Sequence, residues 1–99
     1  MMRGPHFVYA LIDPRNQQIF YIGITIAPQI RMRAHRGDPC SSAWKRIREI
    51  EASGYECEME IMGEFESRND ALALEYEFIN YFPELVNIDR ALHRVGAAA

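Results

Sequence analysis

The order of apolar and polar residues along the chain predicts six short elements. Two continuous apolar runs, residues 7–12 and 19–22, are rich in β-branched and aromatic side chains and predict two strands. The polar segment Asp-Pro-Arg-Asn at residues 13–16 has typical turn chemistry, so the two strands should form a β-hairpin. Neither run alternates with polar residues, and we therefore expect both strands to be covered on both faces.

A short helix is predicted over residues 27–36, after a turn out of the second strand at Gly23. Pro28 stands near its first position, where the missing amide has no helical partner. Gly37 and Pro39 are expected to stop the helix. The predicted inward positions are Ala27, Ile30 and Ala34.

A second helix is expected to begin at Ser41 or Ser42, because serine is a favourable N-cap residue. It should end at the pair Ser53-Gly54. Its predicted inner face consists of Trp44, Ile47 and Ile50.

Residues 55–66 alternate between apolar side chains and glutamates, which predicts a half-buried strand with one wet face. The apolar positions are Tyr55, Cys57, Met59, Ile61 and Phe65. The row of glutamates could be imagined as a metal site, but a solvated face that discourages edge pairing is the favoured interpretation.

A third helix is predicted from Ser67, which starts a capping-box-like segment with Asp70, to about residue 82. Its core-facing seam is predicted to contain Leu72, Glu75, Ile79 and Phe82. A carboxylate in such a seam must be paired, bound to a metal or protonated, because burying a lone charge is very unfavourable. Glu75 is therefore the most unusual residue of this helix.

The element order is thus β-β-α-α-β-α, which is typical of a small α+β domain. We predict one domain over residues 1–99, with a core of about 7–87 and a tail of 88–99. Two distant cysteines, Cys40 and Cys57, favour a reduced chain with two packing thiols over a disulfide or a zinc site. The chain start lacks an apolar run, and we expect a cytoplasmic protein with no membrane partner.

Charge is distributed very unevenly along the chain, although the net charge is only −3. Residues 31–48 contain six basic residues and one acid, and residues 49–89 contain twelve acids and one arginine. The basic residues are Arg31, Arg33, Arg36, Lys45, Arg46 and Arg48. This asymmetry indicates one anion-facing side, while the acidic run is interpreted as a solvated face.

A set of polar and aromatic residues, in order and at their spacing, resembles the GIY-YIG nuclease domain. The residues that carry the resemblance are Tyr9, Tyr21-Ile22-Gly23, Arg31, His35, Glu75 and Asn87. The first motif reads Phe7-Val8-Tyr9 without the usual leading glycine, and Ile24 stands where several members have lysine. The resemblance implies a three-stranded antiparallel sheet flanked by helices and hydrolysis of DNA phosphodiesters with one divalent ion, Mg²⁺ or Mn²⁺.

The resemblance also implies a role for each residue. Glu75 matches the metal ligand and Arg31 the phosphate-binding arginine, whose planar fork of donors suits a phosphate. Tyr9 and Tyr21 match the motif tyrosines, one of which positions or activates water. His35 is an alternative base with a better-matched pKa. The predicted supporting residues are Gly23, Thr25 and Asn87.

DNA is the expected partner, and the predicted DNA-binding side chains are Arg33, Arg36, Lys45, Arg46 and Arg48. Specificity is expected to come from DNA shape, a homodimer or a partner protein, with a role in repair or recombination. The alternative is a non-catalytic nucleic-acid-binding module on the same scaffold, and a third reading is an interaction domain that uses the acidic strand.

Overall fold

The computed structural model of the protein describes residues 5–82 and 85–86 and contains the six elements in the predicted order. They are β1 (His6–Asp13), β2 (Gln18–Thr25), α1 (Pro28–Gly37), α2 (Trp44–Ala52), β3 (Glu58–Phe65) and α3 (Arg68–Tyr81). The strands form one antiparallel sheet in the order β2-β1-β3. The predicted α+β class is therefore confirmed. Within the described residues, no helix is both long and apolar enough to cross a bilayer.

The central strand β1 is buried on both faces, as the uninterrupted apolar run predicts. One face of the sheet packs against α2 and part of α1, with Tyr9, Leu11, Phe20, Tyr21, Ala43, Ile47, Ile50 and Cys57 in its core. The other face packs against α3, with Val8, Ala10, Ile22, Ala71, Ile79 and Leu85 in its core. Two separate cores thus share a single sheet.

Two register shifts interrupt the sheet and change which side chains point to each core. In the β1–β2 pair, Leu11 lies opposite Tyr21 but Ile12 lies opposite Ile19, which leaves Phe20 as the extra residue of a bulge. In the β1–β3 pair, Met62 is the extra residue, because Val8 pairs with Gly63 and Tyr9 with Ile61.

The predicted alternation of residues 55–66 is partly wrong, because the second bulge interrupts it. Met62 packs against the α3 face, whereas Ile61 is 43% exposed. Tyr55 precedes the strand and is also exposed. The glutamates of this segment are exposed as predicted, namely Glu56, Glu58, Glu60, Glu64 and Glu66.

The first helix begins at Pro28 as predicted, but its inward face differs from the prediction. Ile30 is 63% exposed, while Met32 packs on the core and His35 is buried. Ile30 and His35 are five positions apart, which is about 140° around a helix with 3.6 residues per turn. Burial of His35 therefore turns Ile30 toward solvent.

The start of α2 also differs from the prediction. Its N-cap residue is Ala43, without a side-chain hydrogen bond, and neither Ser41 nor Ser42 caps it. On the inner face Ile47 and Ile50 are buried as predicted, whereas Trp44 is only half-buried.

The third helix confirms two predictions and corrects one. The Ser67 hydroxyl accepts hydrogen bonds from the backbone amides of Asn69 and Asp70, so the predicted cap is present. Glu75 is only 8% exposed, as its seam position requires. The seam contains Ala71 rather than Leu72, which is half-buried at the helix surface.

Candidate active site

The site is built around a close approach of two neighbouring strands. Gly23 lies inside β2, directly opposite Tyr9 on β1, so the predicted turn at this glycine is wrong. A Cβ atom at Gly23 would lie 2.5 Å from the Tyr9 hydroxyl. The glycine is needed because the Tyr9 ring crosses over it, and a side chain there would displace the ring.

The Tyr9 ring reaches across Gly23 to a buried histidine on α1. A hydrogen bond of 2.7 Å joins the Tyr9 hydroxyl and the Nε2 atom of His35. The Nδ1 atom of the same ring lies 2.6 Å from the Ser41 hydroxyl. That hydroxyl also accepts a hydrogen bond from the backbone amide of Ala43. Ser41 therefore orients the imidazole instead of capping α2.

Tyr21 and Arg31 complete this cluster. The Tyr21 ring stacks on Tyr9 with centroids 6.0 Å apart and meets the edge of His35 at 4.6 Å. The Arg31 guanidinium interacts with the hydroxyl groups of both tyrosines. Four of the predicted site residues, from β1, β2 and α1, thus converge on one place.

The pKa values of two buried groups follow from this packing. Burial, followed by the charge of Arg31, lowers the pKa of His35 to about 4, so the imidazole is neutral at physiological pH. Burial and the neighbouring Tyr21 raise the pKa of Tyr9 well above its ordinary value, although Arg31 opposes this shift. The phenol is therefore also neutral. A neutral imidazole has one donor and one acceptor nitrogen, which suits two hydroxyl partners.

Glu75 comes from the opposite side of the sheet. It lies on α3, which contacts the edge strand β2 that carries Tyr21 and Gly23. An open groove of about 460 Å³ follows the surface of α3 beside this residue. The groove is lined by Asn69, Leu72, Ala73, Glu75 and Tyr76. Glu75 also has an interaction partner within the protein, so it is not an isolated residue.

The carboxylate of Glu75 is suited to a particular kind of metal site. Among the described residues, no three histidine, cysteine, aspartate or glutamate side chains form a ligand cluster. Magnesium commonly binds through one or two carboxylates, with waters and substrate phosphates as its other ligands. A nearly buried glutamate beside an open groove fits this mode of binding.

The predicted DNA-binding residues separate into two groups. Arg36 pairs with Glu51 at 3.1 Å and with Glu56 at 3.4 Å. Arg46 donates to the buried Asp13 carboxylate at 3.0 Å and lies over the Phe20 ring. In the part of the chain that the structure describes, the cations without an ion pair in the basic run are Arg31, Arg33, Lys45 and Arg48.

Of the predicted supporting residues Thr25 and Asn87, the structure describes only Thr25. The Thr25 hydroxyl accepts a hydrogen bond from the backbone amide of Ala27, which fixes the chain between β2 and α1. Asn87 lies outside the described residues. The sequence predicts Ser41 only as a helix cap, and its position six residues after His35 is the only local signal for its contact with the imidazole.

Comparison with known proteins decides the family. The family model described as the GIY-YIG catalytic domain matches residues 5–84 of the 99-residue chain. The chain belongs to the GIY-YIG family. Neither the search of curated proteins nor the search of solved structures gave a match.

The match to the GIY-YIG domain covers all five predicted catalytic residues and ends before Asn87. Domains of the GIY-YIG family are generally nucleases that depend on divalent metals. In this GIY-YIG domain, the two motif segments pair with each other across the β1–β2 hairpin, with Tyr9 of the first opposite Gly23 of the second. The paired motifs thus form the base of the candidate site.

Proposed function

We propose that the protein is a divalent-metal-dependent endonuclease that hydrolyses DNA phosphodiester bonds. One observation carries the proposal. Tyr9, Tyr21, Arg31 and His35 come from three elements and meet in a single cluster of hydrogen bonds and ring contacts. A hydrophobic core gains nothing from this arrangement, because each buried polar group in it needs a partner.

Arg31 is the group we assign to the phosphate. Its residue is exposed, yet its guanidinium interacts with the two buried tyrosines. The cluster therefore presents a positively charged, donor-only group at its outer side. A planar guanidinium can donate two parallel hydrogen bonds to phosphate oxygens and stabilise the charge that develops on them.

Tyr21 is the hydroxyl we assign to the attacking water, and Tyr9 is a positioning residue. Tyr9 is fully buried, and its raised pKa keeps it in the phenol form. Tyr21 is slightly exposed and interacts with both Tyr9 and Arg31. Its hydroxyl can accept a hydrogen bond from the water that attacks phosphorus, while Tyr9 and His35 fix the ring behind it.

Glu75 is the residue we assign to the metal, with waters and substrate phosphate oxygens as the remaining ligands. When bound, the divalent ion supplies Lewis-acid stabilisation of the phosphate. The support for this assignment is the placement of a nearly buried carboxylate beside an open groove. We place the activity in DNA repair or recombination in the cytoplasm, with specificity supplied by a second copy or by a partner protein.

The proposal is tested by incubating the purified protein with labelled duplex, branched and single-stranded DNA, with and without Mg²⁺ or Mn²⁺. We expect metal-dependent cleavage of at least one of these substrates. Arg31→Lys should not restore activity to the parent level, because lysine keeps the charge but loses the two-pronged geometry. Metal-independent binding of DNA without cleavage would favour the non-catalytic module instead.

A further inference from the structure

Two isoleucines at the start of α1 are exposed beside the proposed phosphate site. Ile26 directly precedes the N-cap residue and is 43% exposed, and Ile30 in the first turn is 63% exposed. Neither packs against the two core clusters of the sheet. Ile30 is also the residue next to Arg31 in the chain. An apolar surface of two large side chains thus borders the cationic edge of the site.

The surroundings of these isoleucines are positively charged. Arg33 lies three residues after Ile30, so the two share one face of the helix, and Arg33 is exposed. The first turn of α1 contains no acidic residue and has no side-chain cap. The positive end of the helix dipole therefore adds to the charges of Arg31 and Arg33.

We propose that this surface, consisting of Ile26, Ile30 and Arg33, binds the DNA strand beside the phosphate held by Arg31. The inference rests on the proposed function and adds a second kind of contact to it. Arg33 contacts the neighbouring phosphate, and the isoleucines contact the apolar faces of the adjoining sugar or base. Isoleucine is among the apolar residues that proteins insert against base steps.

Charge complementarity selects DNA over a second copy of the protein as the occupant. Two copies joined through this surface would bring two positive helix ends and four arginine side chains together, which is unfavourable. A polyanion relieves the same repulsion, and its sugars and bases can cover the exposed isoleucines at the same time.

The test separates the apolar contact from the electrostatic contact. Binding of a fluorescein-labelled duplex is measured by anisotropy over a series of KCl concentrations, without divalent metal, for the parent, Ile30→Gln and Arg33→Gln. Ile30→Gln should weaken binding about tenfold at every salt concentration without a change in salt slope. Arg33→Gln should reduce the slope by about one, because one phosphate contact is lost.

Ile61→Gln is the control for Ile30→Gln, because Ile61 is another exposed isoleucine but lies on the acidic strand β3. It should bind DNA like the parent. Binding by Ile30→Gln within twofold of the parent would overturn the inference and leave the proposed function intact. A parent dimer that Ile30→Gln converts to a monomer would also overturn it. A parent that neither binds nor cuts DNA would overturn both.

Discussion

The two faces of the central sheet differ in how many polar side chains are buried in their cores. On the α3 face, apolar side chains fill the core and Glu75 is the one buried carboxylate on the described part of the helix. On the other face, the rings of Tyr9 and Tyr21 are part of the core, and the imidazole of His35 is buried against them. Each polar atom of Tyr9 and His35 on this face has a partner.

The difference shows where this small fold contains buried polar groups instead of apolar side chains. A chain of 99 residues has little apolar surface to bury, so every buried polar group reduces a narrow margin of stability. The hydrogen-bonded pair Tyr9 and His35 lies on one face, and the buried carboxylate of Glu75 lies on the helix that covers the other. We therefore expect substitutions of these groups to differ in how strongly they lower activity and stability.

The largest effect is expected for Glu75→Gln. Cleavage should fall by at least about a hundredfold, because the metal loses its protein carboxylate. The melting temperature should change by only a few degrees, since glutamine has the same shape and retains hydrogen-bonding capacity. Glu77→Gln on the exposed side of the same helix is the control and should cleave like the parent. Normal cleavage by Glu75→Gln would show that this residue is structural.

The next largest effect is expected for Gly23→Ala. The new methyl group would meet the Tyr9 hydroxyl and move the ring away from His35. We expect a loss of roughly 1–3 kcal/mol in the free energy of unfolding. Cleavage should fall up to about a hundredfold, as expected for a misplaced active-site group.

Gly37→Ala is the matched control for this substitution. Apart from its chain neighbours and the nearby backbone of the helix, no atom lies within 4 Å of a Cβ atom built at Gly37, which ends the same α1 helix that carries His35. The cleavage rate should match the parent, and the free energy of unfolding should not fall, because alanine is favoured over glycine in a helix. If Gly23→Ala also matches the parent, the close approach of Tyr9 is not essential.

A smaller effect, on stability alone, is expected for Arg46→Ala. Asp13 has no exposed surface, and its pKa is held well below the usual range first by the hydrogen bond from Arg15, with Arg46 as a further donor. Removing one of the two cations should lower the free energy of unfolding by about 2 kcal/mol. Arg48→Ala should change it by less than about 0.5 kcal/mol, because Arg48 is exposed. Thermal melting distinguishes the two variants.

The last prediction is a change in stability with pH, confined to acid, that identifies His35. Its pKa falls from 6.5 to about 4 on folding, so the unfolded chain binds the proton more readily between these values. Stability should therefore decrease as the pH falls from 6.5 to 4. His35→Gln should lack this decrease in urea titrations, while the contribution of Asp13 is lost only below pH 3.8 in both proteins. An equal slope in the variant would contradict the assignment.

Local sequence patterns determined the elements and the most unusual residue of the fold. Apolar runs predicted β1 and β2, Ser67 predicted the start of α3, and helical spacing placed Glu75 in the buried seam. These predictions hold because strand periodicity, helix periodicity and capping depend on residues only a few positions apart. The resemblance to the GIY-YIG family also rested on the sequence, and the family match confirmed it.

Only the tertiary structure decided which polar groups meet. Gly23 makes room for Tyr9, and Ser41 orients His35. The bulge at Met62 places Phe65 on the opposite face of the sheet from Met59. Arg36 and Arg46 are engaged with acidic residues that lie 15 and 33 positions away. Such contacts depend on the register of strands and on how helices pack across them, and a single inserted residue changes both.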